Sequence, residues 1–201
     1  MKLILIRHGE SQWNLENRFT GWKDVSLTKT GIKEASFCGN QLMNNNIEIE
    51  SIYSSILNRA IETTKIITGI IKFPNENIQY DWRLNERHYG SLEGLNKSET
   101  AKKYGEDQVK IWRRSFDIPP PPLEINDLRH PKNNKKFNNL SCELPIGESL
   151  KDVINRLLPF LENYFDFIKN SNGNHLIVAH SNSLRAIVKI LEGLSDEKIV
   201  Q

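Results

Sequence analysis

Three short apolar runs, each followed by residues of helical period, constrain this chain more than any other feature. They are residues 2–6, Ser51-Ile52-Tyr53-Ser54 and His175-Leu176-Ile177-Val178-Ala179. Runs this short, with little polar alternation, suit strands covered on both faces, as in a parallel sheet with helices above and below. After the first run, Ile32, Ala35, Cys38 or Gly39, Leu42 and Met43 recur at helical spacing from Thr28 until Asn44-Asn45-Asn46 stops the pattern. After the second, Arg59 opens a segment with Ala60, Thr64, Ile67 and Ile71 on one face, and after the third come Leu184, Ile187, Val188 and Leu191. A longer helix is predicted from Leu150, Val153, Ile154, Leu157, Leu161, Tyr164, Phe165 and Ile168, with Ser149 as N-cap and Pro159 as a kink. The expectation is an α/β three-layer sandwich: a mostly parallel central sheet with helices on both faces.

Such sheets bind ligands outside the carboxyl ends of their strands. Two histidines fall there: His8, in Leu5-Ile6-Arg7-His8-Gly9-Glu10-Ser11, and His180, directly after the third run. A neutral imidazole nitrogen attacks phosphorus and later leaves, so a histidine ringed by cations suits reversible phosphoryl transfer. Arg7 and Arg59 supply cations, Gly9 allows close backbone approach, and Ser11 and Asn14 offer hydrogen bonds to phosphate oxygens. An Arg-His-Gly tripeptide also arises by chance, and a strand-end histidine often only caps a loop. The combination of Arg7-His8, Arg59, His180 and a Ser/Asn-rich loop is what points to a phosphohistidine site.

At 201 residues one domain is expected, and 38% hydrophobic with 26% charged residues is the composition of an ordinary globular protein. A net charge of +2 gives no large field for nucleic acid. The basic stretch Arg129 to Lys136 lacks an aromatic ladder and reads as a solvated loop. Cys38 and Cys142 have no CxxC spacing, and His88, His130 and His175 have no metal-ligand spacing, so neither a disulfide framework nor a metal is expected. The N-terminal apolar run is too short for a signal peptide or a membrane span, so a cytoplasmic location without membrane contact is expected. Residues 86–146 break the strand and helix rhythm, with helical patches at about 97–104 and 106–115 before Pro119-Pro120-Pro121-Pro122. A long irregular segment in a compact domain is read as an inserted lid or substrate segment.

The stretches RHGESQWN (7–14), RFTGWKDVSLT (18–28), LNERHYGSLEGLNKSETAKKYG (84–105), QVKIWRR (108–114) and AHSNSLRAIVK (179–189) span most of the chain. Together they resemble the cofactor-dependent phosphoglycerate mutases of the histidine phosphatase superfamily. The resemblance implies a phosphoglycerate mutase-like fold and His8 as the phosphorylated residue, with Arg7, Arg59 and His180 around the transferred group. It implies Glu86 as general acid and base. Thr20, Gly21, Tyr89, Lys97, Arg113, Arg114, Ser181 and Asn182 join Ser11 and Asn14 as substrate-binding positions, the paired arginines suiting a carboxylate or phosphate. The implied cofactor is 2,3-bisphosphoglycerate as primer, without a metal, and the implied assembly is a homodimer or homotetramer.

Two departures stand out. Ser181 occupies a position where glycine is usual in the family, leaving its N–H to make the backbone contact. The family usually continues through a further strand and a mobile polar tail, whereas this sequence ends at Gln201. Either the sequence is a piece of a longer chain or a natural variant lacks that closure; without it, mutase turnover is expected to be less efficient and hydrolysis of the phosphohistidine to be favoured. The leading expectation is interconversion of 3- and 2-phosphoglycerate. Its rivals are a phosphatase of the same superfamily acting on a small phosphorylated metabolite and an inactive binding module. The segment bearing Glu86, Lys97, Arg113 and Arg114 favours the mutase, and retention of His8 and the arginines disfavours the inactive module.

Overall fold

The computed structural model describes residues 1–138, 140 and 142–200. In chain order its elements are β1 (Leu3–Arg7), α1 (Gln12–Leu15), α2 (Lys29–Asn44), β2 (Ile49–Ser54), α3 (Asn58–Ile71), β3 (Ile78–Tyr80), α4 (Lys97–Tyr104), α5 (Glu106–Arg114), α6 (Leu150–Ile168), β4 (Asn174–Ala179), α7 (Ser181–Glu192) and α8 (Asp196–Val200). The four strands form one sheet in the order β1-β4-β2-β3, with every pairing parallel. No helix among the described residues is long and apolar enough to cross a membrane.

Side chains alternate across this sheet, and both faces are covered, which is why the runs read as apolar throughout. Ile4, Ile6, Ile52, Leu176 and Val178 pack against Leu42 of α2 and Ile67 of α3. On the other face Leu3, Leu5, Tyr53, Ile177 and Ala179 pack against α6, α7 and Ile199 of α8. Helices, sheet and helices make the three layers. Leu157, Leu161, Ile52 and Leu176 are almost fully buried, each contributing about 1.5–3 kcal/mol relative to exposure.

Helix α6 begins at Ser149, whose hydroxyl accepts from the Asp152 N–H while Asp152 accepts from the Ser149 N–H and hydroxyl. It runs uninterrupted through Pro159, which lies on the exposed face, where water can satisfy the carbonyl deprived of its donor. Between β3 and α6, α4 and α5 pack through Val109 onto Phe19 and Leu92. The basic stretch keeps Arg129, Lys132, Lys135 and Lys136 exposed, as expected of a solvated loop, and is pinned by two short turns, Pro131–Asn133 and Lys135–Phe137. Pro131 and Phe137 are buried, Phe137 against Trp22, and Lys136 pairs with Asp24 at 2.6 Å.

The register places the site. Arg7 pairs with Ala179, so the next residues, His8 and His180, leave adjacent parallel strands side by side. The His8 N–H donates to the Ala179 carbonyl and the Ser55 N–H to that of Val178, continuing the ladder one step beyond the strand ends.

Candidate active site

A cavity of about 240 Å³ opens at these strand ends. It is lined by Arg7, His8, Asn14, Thr20, Gly21, Arg59, Glu86, Tyr89, Lys97, Arg113, Arg114, Ser181 and Asn182, all expected from the sequence, and by Arg18, which was not. Ser11 and His180 are not among the lining residues, although the His180 ring lies against that of His8. A larger cavity of about 580 Å³ lies beyond Trp22 and Glu93 and contains neither His8 nor His180. The chemistry of the lining, rather than size, selects the smaller one.

His8 is 5% exposed. Its Nδ1 lies 2.6 Å from the Gly9 carbonyl, which can only accept, so Nδ1 carries the proton and Nε2 keeps a free lone pair. Arg59 Nε–H points at that lone pair from 3.3 Å. Burial foremost, then the charge of Arg59, lowers the His8 pKa well below its ordinary value and keeps the ring a neutral nucleophile. Gly9 carries no side chain because the backbone of α2 at Gly31 approaches it directly.

Arg59, the second residue of α3, is fully buried. Its fork donates through Nη1 to the Lys23 carbonyl and through Nη2 to that of Gly21 at 2.8 Å. Burial lowers its pKa to about 10, with Glu86, Asp24 and Glu93 opposing the shift, so the guanidinium remains charged near neutrality. The loop it grips is also held from beneath. Gly21 has a φ of +52°, and the Trp22 N–H donates to Glu93 Oε1 at 2.8 Å while Trp22 Nε1–H donates to the Glu86 carbonyl at 2.6 Å.

Glu86 is aimed by its neighbours. Its Oε1 accepts from the Arg87 N–H at 2.8 Å, the Asn182 N–H at 3.2 Å and the Asn182 side-chain amide at 2.9 Å. Among the described residues Oε2 accepts no hydrogen bond, leaving that oxygen for a substrate hydroxyl. Arg87, buried and unassigned by sequence, lies 4.8 Å under the Tyr89 ring and donates to the Arg113 carbonyl at 2.9 Å. It therefore ties Tyr89 to the last turn of α5, where Arg113 and Arg114 meet the cavity.

His180 is fully buried with its ring centroid 4.9 Å from that of His8. Burial foremost, then the charge of Arg59, lowers its pKa and leaves it neutral. Ser11 caps α1 in a reciprocal box with Asn14, donating its hydroxyl to Asn14 Oδ1 at 3.0 Å. Its hydroxyl therefore orients Asn14, which lines the cavity. Ser181 is the first residue of α7, so its N–H belongs to a helix N-terminus facing the site. No group of three or more His, Cys, Asp and Glu side chains among the described residues is arranged to hold a metal ion. Arg18 was legible only as one cation among many, because its place on the cavity wall depends on the bend after α1.

The family described as histidine phosphatase superfamily (branch 1) matches residues 3–201. A Bacteroides thetaiotaomicron protein named 2,3-bisphosphoglycerate-dependent phosphoglycerate mutase 2 is 48% identical over 202 aligned positions, covering 100% of this chain and 81% of that protein. Among solved structures, one named Mycobacterial hydrolase 1 has a TM-score of 0.76 at 22% identity, over 98% of this chain and 81% of its own. Bacillus stearothermophilus YhfR has a TM-score of 0.72 at 26% identity, over 98% and 82%. The mycobacterial likeness speaks for the fold alone.

Proposed function

Because this chain belongs to branch 1 of the histidine phosphatase superfamily, we propose that it interconverts 3- and 2-phosphoglycerate through phosphorylated His8, primed by 2,3-bisphosphoglycerate. The observation that carries this is the cavity lining: a neutral, lone-pair-bearing His8 Nε2 with Arg59 against it, and Arg7, Lys97, Arg113 and Arg114 around the same cavity. The cation beside His8 suits the phosphoryl group in transfer. The others are enough to bind the carboxylate or remaining phosphate of a three-carbon acid as well. The name of the Bacteroides thetaiotaomicron relative fits the same substrate and primer.

Priming transfers a phosphoryl group from 2,3-bisphosphoglycerate to His8 Nε2: the N–P bond forms as the P–O bond breaks, and Glu86 protonates the departing oxygen. For 3-phosphoglycerate, Glu86 then removes the 2-hydroxyl proton as that oxygen attacks phosphorylated His8, breaking the N–P bond. The 3-phosphoryl group next passes to His8 Nε2, and Glu86 returns the proton to O3, releasing 2-phosphoglycerate. Arg7, Arg59 and the Ser181 N–H offset charge on the phosphoryl oxygens throughout. Residues 86–146 form the substrate side of the site in this scheme. The free thiols Cys38 and Cys142 suit a reducing cytoplasm.

The test is to incubate the protein with 2,3-bisphosphoglycerate, assay acid-labile phosphate on His8, and compare 2-phosphoglycerate formed from 3-phosphoglycerate with phosphate released. An adduct and an excess of 2-phosphoglycerate are expected, both abolished in His8→Ala. Absence of an adduct would overturn the scheme, and predominant phosphate release would reassign the enzyme as a phosphatase.

A further inference from the structure

Ser55 lies just past the end of β2, buried and outside the cavity lining, yet it is the hydrogen-bond partner of His180. The His180 Nε2 and the Ser55 Oγ are 2.8 Å apart. The same Oγ accepts from the Leu57 N–H at 3.2 Å and donates its proton to Asn85 Oδ1 at 2.7 Å. With Asn85 Oδ1 turned toward it, the hydroxyl spends its proton on Asn85 and accepts from His180, which puts the His180 proton on Nε2; in this orientation the Asn85 Nδ2 is buried without a partner among the described residues. The His180 Nδ1 is then a bare lone pair, buried and without a hydrogen-bond partner among the described residues. A buried polar atom left unpaired is costly unless a ligand completes it. The unpaired atom belongs to the ring that sits 4.9 Å from the His8 ring.

We propose that Ser55, backed by Asn85, is a positioning residue that holds His180 by Nε2–H and thereby reserves Nδ1 for the phosphoryl group in transfer. A phosphoryl group that enters as its monoanion passes its proton to Nδ1, which holds it in a hydrogen bond to the oxygen it came from and leaves the group dianionic. The Nε2–H to Ser55 bond is kept, and the imidazolium adds a cation opposite Arg59. Ser55 thus acts through His180 and touches no substrate. Asn85 immediately precedes Glu86, so this chain also couples the tautomer of His180 to the segment bearing the acid and base. The inference rests on the reading of His8 as the phosphoryl acceptor.

Two-bond 1H–15N correlation spectra of histidine-labelled protein test the tautomer directly, with His180→Gln identifying the signal. Wild type and Ser55→Thr are expected to show His180 protonated at Nε2, and Ser55→Ala a mixture or the Nδ1–H form. Phosphorylation of His8 by 2,3-bisphosphoglycerate is expected to slow about tenfold in Ser55→Ala, with KM for 3-phosphoglycerate within about twofold and the rate recovered in Ser55→Thr. A purely structural role would lower stability in Ser55→Ala without moving the tautomer. Nδ1–H in the wild-type free protein would overturn the proposal, as would a Ser55→Ala protein with tautomer and rate unchanged. Failure of wild type to form phosphohistidine would instead overturn the functional reading, since the tautomer spectrum needs no substrate.

Discussion

Arg59 shows how one side chain joins the chemistry to the loop that shapes it. Its Nε–H meets the His8 lone pair while the other arm of the fork holds the carbonyls of Lys23 and Gly21. Lysine keeps the charge but cannot make these three contacts from one rigid plane. Arg59→Lys is therefore expected to lower kcat/KM at least about 100-fold, measured by steady-state turnover. A loss of only a few-fold would mean that charge alone suffices. Glu93, directly beneath the same loop, makes a different prediction. Its burial pushes the carboxyl up to about 7, although the N–H groups of Trp22 and Tyr89 and the charges of Arg59 and Arg129 pull it down. The folded state therefore binds more protons than the unfolded state between the ordinary carboxylate value and about 7. The associated stability is full at acidic pH and lost as pH rises through 7. Glu93→Gln retains an oxygen for the Trp22 N–H, so it is expected to stabilise the protein by about 1–3 kcal/mol near pH 8 and much less near pH 5. Thermal unfolding at the two pH values checks this; a difference independent of pH would clear Glu93 of the effect.

At the scale of elements, α6 supports the site from outside it. Arg156 is buried against Glu148, with Nε at 2.7 Å from the carboxylate, and its Nη1 donates to the Arg83 carbonyl at 2.6 Å. Glu148 in turn accepts the His88 N–H at 2.8 Å, so the pair brackets the segment carrying Glu86 on both sides. Arg156→Met leaves a buried carboxylate uncompensated and is expected to cost about 3–5 kcal/mol in urea unfolding, with lower kcat from a loosened Glu86. A loss below about 1 kcal/mol would mean water replaces the guanidinium. None of this pairing was legible in the sequence, because it arises only when α6 meets the distant segment that carries Arg83 and His88. The repeating elements were legible: apolar runs report covering from both faces, and β1, β2, β4, α2, α3, α6 and α7 fall within a few residues of the expected spans. The three-residue β3 is too short to leave a period, and the turns around Phe137 depend on contact with Trp22. The same division holds at the site. Residues carried by local motifs converge on one cavity, whereas Arg18, Ser55 and Arg87 acquire their places only when distant segments meet.

For the whole molecule, the distribution of charge matters more than its sum. The net charge is only +2, yet the cavity gathers Arg7, Arg18, Arg59, Lys97, Arg113 and Arg114 around the single carboxylate of Glu86. Arg7, Lys97, Arg113 and Arg114 form no ion pair among the described residues, so their field is directed at whatever enters rather than spent internally. A concave, positively lined mouth on a nearly neutral body draws polyanions over roughly a Debye length, about 8–10 Å at physiological salt. The kcat/KM for a phosphorylated three-carbon acid is therefore expected to fall as ionic strength rises. Arg113 and Arg114 end α5 and line both this cavity and the neighbouring groove along α4 and α5. Replacing both by Gln is expected to raise KM about tenfold, leave kcat within about threefold and flatten the salt dependence. Turnover measured across a salt series on wild type and the double variant decides it. An unchanged slope with a large fall in kcat would place the two arginines in the transfer step itself rather than in capture.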